Sequence, residues 1–311
     1  MFGLASDRDE QSAVLALVGA AGSVWPWHRI ADAIADVGSA IKIIDGDWSG
    51  FEDEDASLLH AMAESAHAKD SLEKYRSLIE EEEASGSHLL TVLDSDYPVN
   101  LREVYNRPPF LFVRGQLTPA DDRAIAVVGT RQATEEGLDQ AFRLADGLAR
   151  EGVTVLSGMA LGIDTAAHRA ALDAGGQTVA VMGTGIRLRY PKQNVELADR
   201  IEKHGALVSQ FWPDQPPAGF RFPMRNIVTS GMSLGTVVIE ASSTSGAKSQ
   251  ARHALEHGKR VFLIRSLVLR EKWAQDYVEK RGAIPIDSVE DILAELVALS
   301  RADEVEQLRL V

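Results

Sequence analysis

A mixed α/β fold, a parallel sheet behind a small helical module, is predicted by three features of the sequence. From Ala124 onward, short continuous runs of Val, Ile, Leu and Ala alternate with amphipathic stretches; three of these runs end in glycine; and before residue 86 apolar residues instead recur three and four positions apart. Continuous apolar runs are the mark of strands buried on both faces, and the amphipathic stretches between them supply the right-handed crossovers that parallel pairing requires. The expectation is an extended Rossmann-like parallel sheet over residues 87–311, preceded by an N-terminal helical module over residues 1–86.

Taken in order, "SAVLALVGAAG", "HRIADAIADVG" and "ASLLHAMAESAHAKDSLEKYRSLI" carry helical spacing. The second is expected to start from Ser23 or Trp25, ahead of Pro26, and to stop at "VGSA". The acidic stretches "FEDEDASLL" and Glu80 to Glu83 read as solvated helix surface and loop. A lead-in follows, "HLLTVLDSDYPVNLREVYNRPPFLFVRG": a short strand, a turn at Asp94 to Pro98, a helical turn, a Pro-Pro break, and a strand ending at Gly115. The sheet proper is then "AIAVVG", "VTVLSG", "TVAVMG", "ALVSQF", "GTVVIEA" and "RVFLI", with helices in "EEGLDQAFRLADGLAREG", "DTAAHRAALDAGG", "NVELADRIEKHG" and "AKSQARHALEHG".

Composition narrows the chemistry. With no cysteine, disulfides, thiol nucleophiles and cysteine-ligated zinc are excluded, and the eight histidines form no HExxH-type pair, so neither a metal nor a cofactor is expected. No apolar run approaches the ~20 residues of a bilayer span. The N-terminus has neither a basic start nor a small-residue cleavage site, and a cytoplasmic location is expected. A net charge of −14 argues against nucleic acid, whose phosphates draw on clustered Lys and Arg. The charge is uneven, however: residues 1–120 hold 21 acidic and 9 basic side chains, whereas residues 121–264 hold 15 and 16.

Within that balanced middle, the strands running into Gly129, Gly158 and Gly183 gather backbone amides and helix N-termini along the carboxyl edge, where open α/β sheets bind phosphate-bearing ligands. The same glycines would also serve simply to permit tight turns. Arg131 directly follows "VVGT", placed for a phosphate or for an ion pair with Glu135 or Glu136. In "VLSGMALGIDTAAHRAALDAGG", Ser157 and Gly158 end a strand and no phosphate-loop lysine follows; Asp164 is read as the cap of the next helix, hydrogen-bonded to His168 one turn on. Arg187, Arg189 and Lys192 surround Tyr190 in a basic loop, suited to a sugar-phosphate backbone or to plain solvation. "FRFPMRNIVTSGMS" sets Phe222, Arg225 and Asn226 close together, rings for bases and guanidiniums for phosphates, with a structural turn as the other use of Asn226. Ser245, Gly246 and Lys248 open a further helix, as anion site or ordinary cap.

Together "VVGTR", "SGMALGIDTAAHRAAL", "GTG…YPKQN", "FPMRN", "VVIEASSTSGAKSQARHAL" and "GKRVFLI" resemble the DNA-processing protein A (DprA/Smf) family, in order and spacing over roughly residues 90–290. The resemblance implies an extended Rossmann fold that forms a homodimer, binds single-stranded DNA and loads a RecA-type recombinase in DNA uptake, recombination or a related defence pathway, without enzymatic turnover. By motif, it puts DNA contacts on Gly129, Thr130, Arg131, Ser157, Gly158, Phe222, Arg225, Asn226, Ser245, Gly246 and Lys248. A lysine-free glycine turn then suits amides laid along a strand's phosphates, where no γ-phosphate is transferred.

The chain also departs from the family pattern. Arg225-Asn226-Ile227 stands where RNR is usual, Ser209-Gln210 where SE is usual, and Arg265-Ser266 where Pro-Gly is usual, and "LVLREKWAQDYVEKRGAIPI" replaces a glycine-rich segment. After "SVEDILAELVALSRADEVEQLRLV" no C-terminal winged helix, which many members carry, is expected. Two other readings are carried: a Rossmann-like nucleotide binder or LOG-like phosphoribohydrolase with Glu240 as its acid, and a scaffold that keeps the fold without the groove.

Overall fold

The computed structural model describes residues 8–22, 26–47, 51, 53–66 and 69–309. Five helices come first: α1 (Arg8–Ala21), α2 (Trp27–Val37), α3 (Ala40–Ile44), α4 (Asp53–Ala66) and α5 (Lys69–Ala84). Pro26 precedes the first turn of α2, and Gly38, at φ 72°, ends it by donating its N–H to the Ile34 carbonyl at 2.9 Å. A left-handed stop of this kind is open to glycine at little cost. The alternative cap residues Ser23 and Trp25 lie outside the described residues.

The lead-in supplies β1 (Ser87–Thr91), the short helix α6 (Val99–Arg102) and β2 (Phe110–Gly115). The alternating part follows: β3 (Ala124–Val128), α7 (Glu135–Arg150), β4 (Thr154–Ser157), α8 (Ile163–Asp173), β5 (Thr178–Val181), α9 (Val195–His204), β6 (Ala206–Ser209), α10 (Arg221–Gly231), β7 (Gly235–Val238), α11 (Gly246–Glu256) and β8 (Arg260–Ile264). The segment that replaces the glycine-rich stretch forms two helices, α12 (Arg265–Arg270) and α13 (Lys272–Arg281), then β9 (Ile284–Ile286) and α14 (Val289–Arg309).

The nine strands among the described residues form one sheet in the order β1-β2-β6-β5-β4-β3-β7-β8-β9. The seven from β6 to β9 run parallel; β2 lies antiparallel to β6, with Phe112 opposite Ser209, and β1 antiparallel to β2. Successive residues of β3 serve opposite faces, as the pleat requires. Ile125 and Val127 pack with α7 and α8, whereas Ala124 and Ala126 join a core that includes Val228 of α10. That second core runs on without a break through β2 to Leu15, Leu17 and Ile34 of the N-terminal helices.

The acidic run at the end of α5 is not all solvated surface. Glu82 is 1 % exposed, because it receives the Arg187 guanidinium at 2.5 Å and the Ser87 hydroxyl. Glu80 and Glu83 hold Arg8 at 3.3 and 2.6 Å.

Candidate nucleic-acid interface

Strand order reverses between β3 and β7: the chain steps outward from β3 to β4, β5 and β6, then returns to the other side of β3 with β7. Loops leaving the two strands therefore part, and a cleft opens at their carboxyl ends. This cleft, of about 400 Å³, is lined by Gly129, Thr130, Arg131 and Gln132 after β3, Ala160 and Asp164 after β4, Phe222, Arg225 and Asn226 from α10, and Ser242, Ser245 and Gly246 after β7.

Close packing explains its glycines. A Cβ on Gly129 would fall on Ile163 at the start of α8, and one on Gly158 would fall on the Arg225 guanidinium. Thr130 is fixed by its own backbone, donating to the Glu240 carbonyl at 2.7 Å and accepting from Ile163 N–H at 3.3 Å. Arg131 is then held at the rim, exposed, with its guanidinium 5.1 Å from the centre of the Phe222 ring. It has no carboxylate partner among the described residues; neither Glu135 nor Glu136 takes it. Phe222 covers Gly183 and lies 6.1 Å from the Tyr190 ring, so the Phe222 ring has the Arg131 cation and a second ring as neighbours. A guanidinium resting on an aromatic face keeps its charge while its N–H groups remain free for an anion.

The floor differs from the expectation. Asp164 does not cap α8, whose N-cap is Gly162; its carboxylate instead accepts from the N–H groups of Gly158 and Ala160, both at 3.2 Å. Those amides are taken inside the protein, so the glycine turn after β4 does not present them to a ligand. Burial pushes the Asp164 carboxyl up, against the opposing pull of Arg225 and the two amides. Met159 sits between the two amides at φ 63°, an uncommon conformation for a side-chain-bearing residue, with its carbonyl held by Asn194 Nδ2 at 2.9 Å. Ser157 is fully buried, its hydroxyl donating to the Val127 carbonyl at 2.6 Å, which sets it beneath the cleft rather than on it.

Arg225 belongs to the floor as well. It is only 8 % exposed and donates from Nη1 to the Val181 carbonyl at 2.8 Å and from Nε to Asn226 Oδ1 at 3.2 Å; burial lowers its pKa, opposed by Asp164. Asn226 in turn reaches the Gly246 carbonyl at 3.4 Å. His168, read as the partner of Asp164, bonds to Thr178 Oγ1 at 2.7 Å instead. The Thr178 hydroxyl spends its one proton on the Val155 carbonyl at 2.6 Å, so His168 Nδ1 must carry the hydrogen. His168 Nε2 then points a lone pair into the protein without a partner among the described residues, and burial, aided by the Arg225 charge, holds the imidazole down to about 3.

On the far wall Ser245 caps α11, accepting from Ala247 N–H at 3.2 Å, and Gly246 is exposed beside it. Lys248, in the first turn of the helix, does not line the cleft; it packs 5.9 Å from the Trp273 ring, and Trp273 Nε1 donates to the Ala241 carbonyl at 3.3 Å. Sequence reasoning missed Trp273 as a support of this wall; its only signal was a lone indole among the charges of "REKWAQDYVEK".

The basic loop is split by the structure. Arg187 is surrounded by Glu82, Glu81 at 3.1 Å and Asp214 at 3.0 Å; Arg189 is held by Glu202, with Asp199 at 3.6 Å. These two guanidiniums join helices to the sheet and do not line the cleft, because each has found carboxylates that no local pattern placed beside it. Lys192 stays exposed in a short turn, Lys192–Asn194. Glu240 is likewise occupied: its carboxylate accepts from the Thr134 N–H at 3.0 Å and the Thr134 hydroxyl at 3.1 Å, bracing the start of α7, and it does not line the cleft.

Fold and cleft together define the class of doubly wound α/β proteins that hold a ligand at a topological switch point. The sequence profile of the DNA recombination-mediator protein A family matches residues 88–297, and the chain belongs to that family. It is 38% identical to the DNA processing protein DprA of Streptococcus pneumoniae over 206 residues, 66% of this chain and 73% of the relative, and 35% identical to that of Bacillus subtilis over 214 residues, 68% and 72% of the two chains. The solved DNA processing protein A of S. pneumoniae superposes with a TM-score of 0.74 at 28% identity, covering 94% of this chain and 99% of that one. DNA processing protein A of Helicobacter pylori, whose structure describes a single-stranded DNA binding mode, superposes with a TM-score of 0.60 at 25% identity, covering 68% and 96%.

Proposed function

We propose that the protein binds single-stranded DNA along the cleft between the β3 and β7 loops and acts as a recombination mediator, a cytoplasmic homodimer that hands the strand to a RecA-type recombinase. The work is binding rather than turnover. The observation that carries this reading is the rim, where Arg131, unpaired with any described carboxylate, rests on Phe222. Phosphate chemistry from one side chain and stacking from the next are what a strand asks of a protein. The single-stranded DNA binding mode described for the H. pylori relative supports it. Dimerisation and delivery to a recombinase rest on the family resemblance.

The division between rim and floor sorts the residues by role. Arg131, Phe222 and Gly246 are the rim groups available to the strand, and Lys248 and Lys192, which do not line the cleft, are cations a strand would meet beyond it; Ser157, Gly158, Asp164, Arg225 and Asn226 keep the rim in place. The test is binding of a labelled oligo(dT) at low and physiological salt, with a nucleoside monophosphate and duplex DNA as competitors. Affinity should fall steeply with salt and survive both competitors, and Arg131→Ala should flatten the log–log salt slope by about 0.7, the share of one phosphate on a single strand. Displacement by the monophosphate would overturn the strand reading in favour of a nucleotide pocket.

A further inference from the structure

Beside the cleft, between α7 and α8, lies a second and wider recess of about 690 Å³. Arg131 and Gln132 line both hollows, so the two adjoin across a single turn of chain. The recess repeats the composition of the rim. Phe142 on α7 and Leu161 ahead of α8 stand 42 % and 38 % exposed, and Arg169 on α8 is exposed without a carboxylate partner among the described residues. Asp173, on the same wall, is neutralised by Arg200 at 2.8 Å, which leaves Arg131 and Arg169 against Asp139. A local positive balance beside an aromatic ring, in a chain of net charge −14, fits a polyanion with stacking faces.

We propose that this recess is a second strand subsite: the single strand that fills the cleft continues past Arg131, stacks a base on Phe142 and sets a phosphate at Arg169. The inference rests on the strand-binding reading and extends it from one cleft to a track along α7 and α8. That Arg131 lines both hollows favours the same strand as occupant over a separate molecule.

The test compares oligo(dT) of about 5 nucleotides, enough for the cleft, with oligo(dT) of about 20, enough for cleft and recess. Phe142→Ala should weaken the longer oligonucleotide roughly fivefold or more and leave the shorter one unchanged. Arg169→Ala should lower the salt slope by about 0.7 for the longer one alone, and Arg169→Lys should restore it. Equal losses at both lengths, or none at either, overturn the subsite; so does a Phe142→Ala protein that changes from dimer to monomer, which would make a second copy of the chain the occupant. Wild-type protein that binds neither length would overturn the strand reading itself, an outcome distinct from variants that match a wild type that binds.

Discussion

Acid should destabilise the protein through His168 by an amount that one substitution removes. The imidazole is fully buried beneath the cleft and its pKa is held down to about 3, against 6.5 for the free side chain. In the unfolded chain it takes up a proton as the pH falls through about 6.5, whereas in the folded protein it stays neutral until about 3. The stability it supports is therefore complete above about pH 6.5, declines below that, and is gone below about 3. At ~1.4 kcal/mol per pH unit, two units of acidification from 6.5 remove ~2.7 kcal/mol, a large part of the ~5–15 kcal/mol that holds a domain together. His168→Asn is the informative variant, since an amide N–H can follow Nδ1–H to Thr178 and cannot titrate. Urea denaturation at about pH 7 and about pH 4.5 reads the difference. His257, which burial holds down to about 4, titrates in both proteins and cancels. The wild type should lose ~2–3 kcal/mol more than the variant between the two conditions; equal losses would refute the buried-neutral account of His168.

Three further outcomes follow from the packing. Gly158→Ala puts a methyl where the Arg225 guanidinium lies, and should cost ~1–3 kcal/mol in a urea melt while shifting the rim enough to weaken oligo(dT) binding. Arg187→Ala leaves Glu82 buried without its cation, and should lower stability by ~2 kcal/mol or more with oligo(dT) affinity unchanged; a loss of affinity at constant stability would return Arg187 to the strand. Trp273→Phe removes the indole bond to the Ala241 carbonyl, costing about 1 kcal/mol, and its effect on binding should vanish in a Lys248→Ala background, as a double-mutant cycle would register.

The sheet was legible because its strands are buried on both faces and bounded by glycine, a pattern that needs no partner to be read; the six runs from "AIAVVG" to "RVFLI" became β3 to β8. β9 was not, since "IPI" is three residues long and carries its meaning only through pairing with Phe262 to Ile264. The rim was legible through Arg131 and Phe222, and the floor was not. Nothing local distinguishes a cation that meets a ligand from one that meets the chain: Arg187 and Glu82 are 105 positions apart, and Arg225 turns inward to a carbonyl on β5 rather than outward. Asp164 has the look of a helix cap because it stands in the first turn of α8, yet the amides it serves lie before that helix.

The pairing of β2 with β6 also sets a timetable for synthesis. The first strand pair finds its neighbour only once Ala206 to Ser209 have been made, about 100 residues after β2 itself leaves the ribosome. At roughly 5–20 residues per second, that is an interval of about 5–20 s. For its duration β2 has an unpaired edge, and Phe110, buried in the finished protein, lacks the Trp212 ring that packs 5.2 Å from it. The earliest strand pair to emerge thus keeps one edge open, and for that interval it is a natural client for a chaperone.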